Sequence, residues 1–101
     1  MAQIPKTSRA ALEAAMQRFD RGERSENWRE ATQDWKADPH HKYAISHEGR
    51  LYPMKEIIRL AVWRVHGLKF SAFSGGRDSI RYIQQHHLDA VPLHSGAELP
   101  D

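Results

Sequence analysis

The chain contains no cysteine, which excludes disulfides, thiolate nucleophiles and Cys-based zinc or iron–sulfur sites and fits a reducing compartment such as the cytoplasm. Long apolar runs are missing as well. The longest, "LAVW" at 60–63, falls far short of the roughly 20 residues that cross a bilayer. The opening "MAQIPKTSRA" has no apolar core of the kind a signal peptide needs. A soluble, cytoplasmic chain without a membrane partner is therefore expected. A large excess of one charge is the third absence, since 15 Lys and Arg stand against 13 Asp and Glu, a net charge of +2. What is present, 101 residues of which 40% are hydrophobic, suits a single domain with one core.

The small net charge hides an uneven distribution. Residues 1–41 balance seven basic against seven acidic groups, residues 42–87 carry eight basic against three acidic, and residues 88–101 are net −3. An electropositive middle segment suits a polyanionic partner, nucleic acid first.

Hydrophobic spacing places the elements. Leu12, Ala15, Met16 and Phe19 recur at i, i+3, i+4 and i+7 behind a Thr7 or Ser8 cap, which predicts a first helix. Gly22 interrupts it. In "SENWREATQDW", Asn27 and Glu30 have capping-box spacing and Trp28, Ala31 and Trp35 share a face. That predicts a second helix, or a continuation bent at Gly22. The two tryptophans read as core anchors rather than a stacking platform. "ADPHH" ends the helical part, because proline disfavours helical geometry in the residue before it.

From Tyr43 the pattern changes to alternation, with Glu48-Gly49 as a tight turn and Arg50-Leu51-Tyr52 returning, a β-hairpin. Pro53 reads as the first residue of the next helix, whose apolar positions are Met54, Ile57, Ile58, Ala61, Val62 and Val65 and whose stop is Gly67. On its other face Lys55, Arg59 and Trp63 lie at i, i+4 and i+8. That stripe can track a phosphate backbone, or be a solvated face with Arg59 stacked on Trp63. A further helix over about 75–86 turns Ile80, Tyr82 and Ile83 inward, with His87 in left-handed geometry at its exit, and "LDAV" closes as a strand.

The run "YAISHEGRLYPMKEIIRLA", then "FSAFSGG", then "IRYIQQHHLDAV" resembles the N-terminal head domain of McrA-like, HNH-type modification-dependent restriction endonucleases. That family's pattern is Tyr-x-aliphatic-x-His-acidic-Gly-Arg-x-Tyr-x-x-Lys followed by Phe-Ser-Gly-Gly. The matching positions are Tyr43, Ile45, His47, Gly49, Arg50, Tyr52, Lys55, Phe73, Ser74, Gly75 and Gly76, within residues 43–91, about half the chain. The resemblance implies an accessory module in DNA restriction or related defence, with cleavage left to a separate HNH domain. Where the family often has an acidic residue after the two glycines and a glycine before the final aromatic, this chain has Arg77 and His87-Leu88.

The departure at Arg77 bears on "SGGR". With Ser74 as N-cap, an acidic residue at 77 would complete a capping box; arginine removes that competitor, so the Ser74, Gly75 and Gly76 amides read as a cap first and a phosphate cradle second. Arg77 and Arg81 stand one turn apart beside them, and Asp78 can approach the same amides. Catalysis and metal binding find little. Asp34-Trp35-Lys36, with Asp20 upstream, is half of a metal-nuclease pattern but lies on the expected second helix. The pairs His40-His41 and His86-His87 lack ligand spacing, and His47 reads as structural.

The sequence thus predicts an α+β fold, a small antiparallel sheet of a hairpin and a C-terminal strand packed with about four helices. It is one domain over 1–91, with a helical part at 7–37, a head-domain-like part at 43–91 and a flexible tail at 92–101. The expected function is non-enzymatic and cofactor-free: binding of duplex DNA with little sequence preference, through Arg50, Lys55, Arg59, Ser74, Gly75, Gly76, Arg77 and Arg81 converging on one basic surface. The alternative is a small protein-interaction factor, either a defence-complex subunit or a phage-encoded inhibitor of a defence system.

Overall fold

In the computed structural model, which describes residues 4–25, 28, 35–37, 42–67 and 76–93, the first helix, α1, spans Arg9–Asp20. Ser8 caps it, its Oγ accepting from the Ala11 N–H at 3.1 Å, and Leu12, Ala15, Met16 and Phe19 are its buried stripe. Its C-terminus closes in a Schellman turn, with Gly22 N–H donating to Phe19 O and Glu23 N–H to Arg18 O, both at 3.0 Å. Residues 23–25 and Trp28 are not helical, so α1 does not continue through Gly22. The expected second helix falls on residues that otherwise lie outside the described ones, apart from a short 3₁₀ turn over Trp35–Ala37. Trp35 is buried and Trp28 packs on the core from its edge, with its ring 5.7 Å from Phe19 in an edge-on contact.

The hairpin forms as its residues dictate. Strand β1 (Tyr43–His47) pairs antiparallel with β2 (Arg50–Pro53). The loop is Glu48 at φ 50° and Gly49 at φ 78°, the positive pair that a two-residue type I′ turn requires. Pro53 is the last strand residue, opposite Ala44, and at ψ 117° it is the N-cap rather than the first helical residue of α2 (Met54–His66). The extended backbone that keeps it in the ladder excludes it from the helix. Gly67, left-handed at φ 68°, ends α2.

Helix α3 spans Gly76–Gln85 and buries Ile80, Tyr82 and Ile83. His87, at φ 61°, is the residue that reverses the chain: its N–H donates to Gln84 O and that of Leu88 to Ile83 O, a second Schellman turn, with Leu88 and Ile83 both in the core. Strand β3 follows at Asp89–Pro92. It extends one residue beyond the expected domain end, and Leu93 N–H still donates to Lys42 O at 2.8 Å. Residues 94–101, the rest of the expected tail, lie outside the described residues.

The architecture is α+β: among the described residues, three α-helices with a three-stranded antiparallel sheet in the order β2-β1-β3. Ile45, Tyr52 and Ala90 are cross-strand neighbours on one face, and that face meets α1 through Phe19, whose ring lies 6.1 Å from Tyr52. Helix α2 is the central element, packed on α1, α3, β1 and β2. Ile57, Ile58, Leu60, Ala61 and Val62 are all fully buried, each of the larger side chains contributing about 1.5–3 kcal/mol of transfer free energy. Val65, expected inward, is 49% exposed. Its angular position is right, but Trp63, Arg64, Val65 and His66 are all exposed, so the last turn of α2 projects beyond what the core covers.

Candidate nucleic-acid interface

The sequence placed basic residues on one side of α2, and the way the helix disposes of its acid decides what that side becomes. Glu56, the single carboxylate of α2, is 1% exposed. Ser25 donates to it twice, from its backbone N–H and from its hydroxyl at 2.6 Å, and the Arg59 guanidinium lies 3.6 Å away. The acid therefore faces the chain leaving α1 and ties that segment to α2. The exposed positions left on α2 are Lys55, Trp63, Arg64, Val65 and His66, with Arg59 half-buried beside them. Burial, and then the neighbouring Arg59 charge, push the Lys55 amine below its ordinary value. Burial likewise lowers Arg59, while the Glu56 charge opposes that shift. Two cations are thus held close together at partial burial, one of them against the Glu56 carboxylate.

Trp63 does not carry Arg59 on its ring. It has no aromatic or cation–π partner among the described residues, and it is 40% exposed. It lines an open valley of about 670 Å³ between α1 and α2, together with Arg64 and, from α1 and its exit, Gln17, Arg18, Arg21 and Glu23. The helices run antiparallel there, since Arg18 Nη2 donates to Leu60 O at 2.9 Å and His66 Nε2 contacts the Lys6 carbonyl. A carbonyl only accepts, so that Nε2 carries the proton. Arg21 and Arg64 form no ion pair among the described residues. Glu23, the one acid among the described residues of the valley, is paired with Arg18 Nε.

The remaining expected site residues are distributed rather than gathered. Arg50 lies on edge strand β2, 68% exposed but 3.4 Å from Asp20 Oδ1; the other oxygen of Asp20 accepts from the Tyr52 hydroxyl at 2.7 Å. Burial first, then the hydrogen bond and charge of Asp20, push the Tyr52 phenol up to about 12, with Arg50 opposing. Arg77 and Arg81 occupy exposed positions of α3, the helix that packs on β3 and β1, so they stand over the opposite edge of the sheet from Arg50. Neither forms an ion pair among the described residues. Gly76 is the first residue of α3; Ser74 and Gly75, and with them the cap and the proposed cradle, lie outside the described residues. His47 Nε2 sits 3.5 Å from Glu13 and 3.9 Å from Glu48, next to the hairpin turn. Among the described residues no group of three or more His, Cys, Asp and Glu is placed to hold a metal, and no helix is long and apolar enough to cross a membrane.

The sequence reading missed Arg18, Arg21 and Arg64. The first two belong to a segment whose charges sum to zero over 1–41, and a block sum erases a local cluster. Arg24, nearby, is spent on the fold: its guanidinium lies 3.6 Å from the Phe19 ring centroid and donates to Phe19 O and Glu23 O. A clue lay in "RFDRGER" at 18–24, where arginines at every third position straddle a helix exit.

No family model matches the chain, and no curated protein or solved structure matches it.

Proposed function

We propose that the chain is a non-catalytic nucleic-acid-binding module that grips phosphates through the outward side of α2. The observation that carries this reading is the burial of Glu56 at 1% exposure. With the only acid of α2 turned inward, the helix presents Lys55 and Arg64 around Trp63, with Arg59 half-buried among them and its guanidinium against Glu56. Arg21 extends the positive surface across the valley, and Arg77 and Arg81 supply a second exposed pair on α3. Contacts of this kind neutralise phosphates and position a polyanion without reading its bases, so affinity falls steeply with salt. The resemblance of residues 43–91 to the head domain of modification-dependent restriction endonucleases supports DNA as the polymer and restriction or defence as the setting.

Fluorescence anisotropy with labelled duplex and single-stranded DNA at two salt concentrations tests the reading. Binding at low salt that weakens at high salt is expected. The double variant Arg77→Glu/Arg81→Glu, run in parallel, decides whether the α3 pair belongs to the interface. Absence of binding at low salt rejects the proposal. One observation favours a second reading, a small protein-interaction factor acting in or against a defence complex: Trp63 and Val65, 40% and 49% exposed, share the last turn of α2, where an apolar partner surface would cover them.

A further inference from the structure

We infer that the valley between α1 and α2 receives an unpaired nucleotide, its base stacked on Trp63 and its phosphate held by Arg21 and Arg64. This rests on the nucleic-acid reading above and adds to it a site and a preference for single strands.

Three independent features of the valley point to such a ligand. The first is the ring. Trp28 and Trp35 are committed to the core or its edge, whereas Trp63 keeps 40% exposure and no ring partner among the described residues. An indole left open beside cations suits a planar base, whose stacking is tolerant of sequence. The second is charge. Arg21 and Arg64 line the valley from opposite sides with no carboxylate paired to either among the described residues, and the only acid among the described lining residues, Glu23, is engaged by Arg18.

The third is a fixed donor. Arg18 is held by Glu23 and by the Leu60 carbonyl, and its Nη1 is buried with no hydrogen-bond partner. Anchored in this way, the guanidinium offsets the charge of Glu23 without losing side-chain freedom on binding, so the net charge of the valley is left to Arg21 and Arg64. The carbonyl end of α1 lies here and would repel a phosphate. Its last acceptors, however, are already occupied: Gln17, Arg18 and Phe19 receive the N–H groups of Arg21, Glu23 and Gly22. The volume, about 670 Å³, lies within the range of roughly 300–1,000 Å³ typical of small-ligand sites. Bases within a duplex are already stacked on one another, so only an unpaired base can use the ring.

The test compares three probes by anisotropy: oligothymidylate, an abasic phosphodiester of equal length, and a duplex. Each is titrated against the full chain, Trp63→Leu, and Arg21→Gln/Arg64→Gln. Oligothymidylate is expected to bind more tightly than the abasic polymer by about tenfold or more, the worth of one or two stacked bases. Trp63→Leu removes that advantage and leaves abasic binding unchanged, and the double arginine variant weakens both. Because Trp63 is exposed, its variant is expected to fold, and matching circular dichroism checks this. Equal binding of oligothymidylate to the wild type and Trp63→Leu, with abasic and duplex binding retained, overturns this inference while leaving the phosphate-binding reading intact. If none of the three polymers binds, both fail.

Discussion

Replacing Glu56 with alanine tests the interaction that gives α2 its one-signed surface. The carboxylate accepts two hydrogen bonds from Ser25 and faces Arg59 at 3.6 Å, and only 1% of the residue is exposed. Removing one member of a buried charged set costs about 3–5 kcal/mol, because the groups left behind stay desolvated. Two features push the value toward the lower end. The Arg59 side chain keeps 20% exposure and can turn to solvent, and Ser25 is half-buried, so water replaces part of what is lost. A loss of about 3 kcal/mol is expected, a fall in Tm of roughly 12 °C or more for a domain of this size. Urea unfolding followed by circular dichroism measures it. Adding Arg59→Met removes the cation that Glu56 balanced, so the double variant should be more stable than Glu56→Ala alone by about 1 kcal/mol or more. A loss below about 1 kcal/mol for Glu56→Ala, the worth of an exposed ion pair, would refute the reasoning.

Two further outcomes follow from other parts of the fold. The Tyr52 phenol is raised from 10.0 to about 12, so its neutral form is favoured in the folded chain. Its contribution to stability is complete below pH 10 and is lost as pH rises toward 12, at most about 2 kcal/mol once solvent screening around the partly exposed Asp20–Arg50 pair is discounted. Denaturant titrations between pH 9 and 12 should show this decline in the wild type and a shallower one in Tyr52→Phe; identical slopes would contradict it. His87 occupies left-handed geometry at φ 61°, where a side chain costs about 1 kcal/mol, and His87→Gly should stabilise by roughly 0.5–1 kcal/mol because the Schellman bonds are kept. A destabilised variant would show that the exposed imidazole contributes more than its backbone strain costs.

Much of the fold was legible because its signals are local. Ser8, the Glu48-Gly49 pair, Gly67 and the left-handed His87 each mark an element end through backbone chemistry confined to a few residues, and the buried positions of α1 follow helical periodicity. What escaped depends on distant parts of the chain. Nothing near Glu56 in the sequence marks it as buried, because its partner Ser25 lies 31 residues earlier. The valley exists only because α1 and α2 pack antiparallel, bringing Arg21 opposite Trp63 and Arg64. Neither a periodicity nor a block charge encodes that. Val65 fits the apolar spacing and is still exposed, since periodicity gives a direction around a helix and not how far along it the core reaches. Arg50, Arg77 and Arg81, near one another on paper around the same motif, separate because β2 and β3 form opposite edges of the sheet.

The most direct test of the central claim is the salt dependence of DNA binding by the wild type and by Arg21→Gln/Arg64→Gln. If Lys55, Arg64 and Arg21 each neutralise a phosphate, the logarithm of the duplex affinity should fall against the logarithm of salt with a slope of about −3. The double variant should then be shallower by about 2. A slope near zero, or one that these two substitutions leave unchanged, would contradict the account.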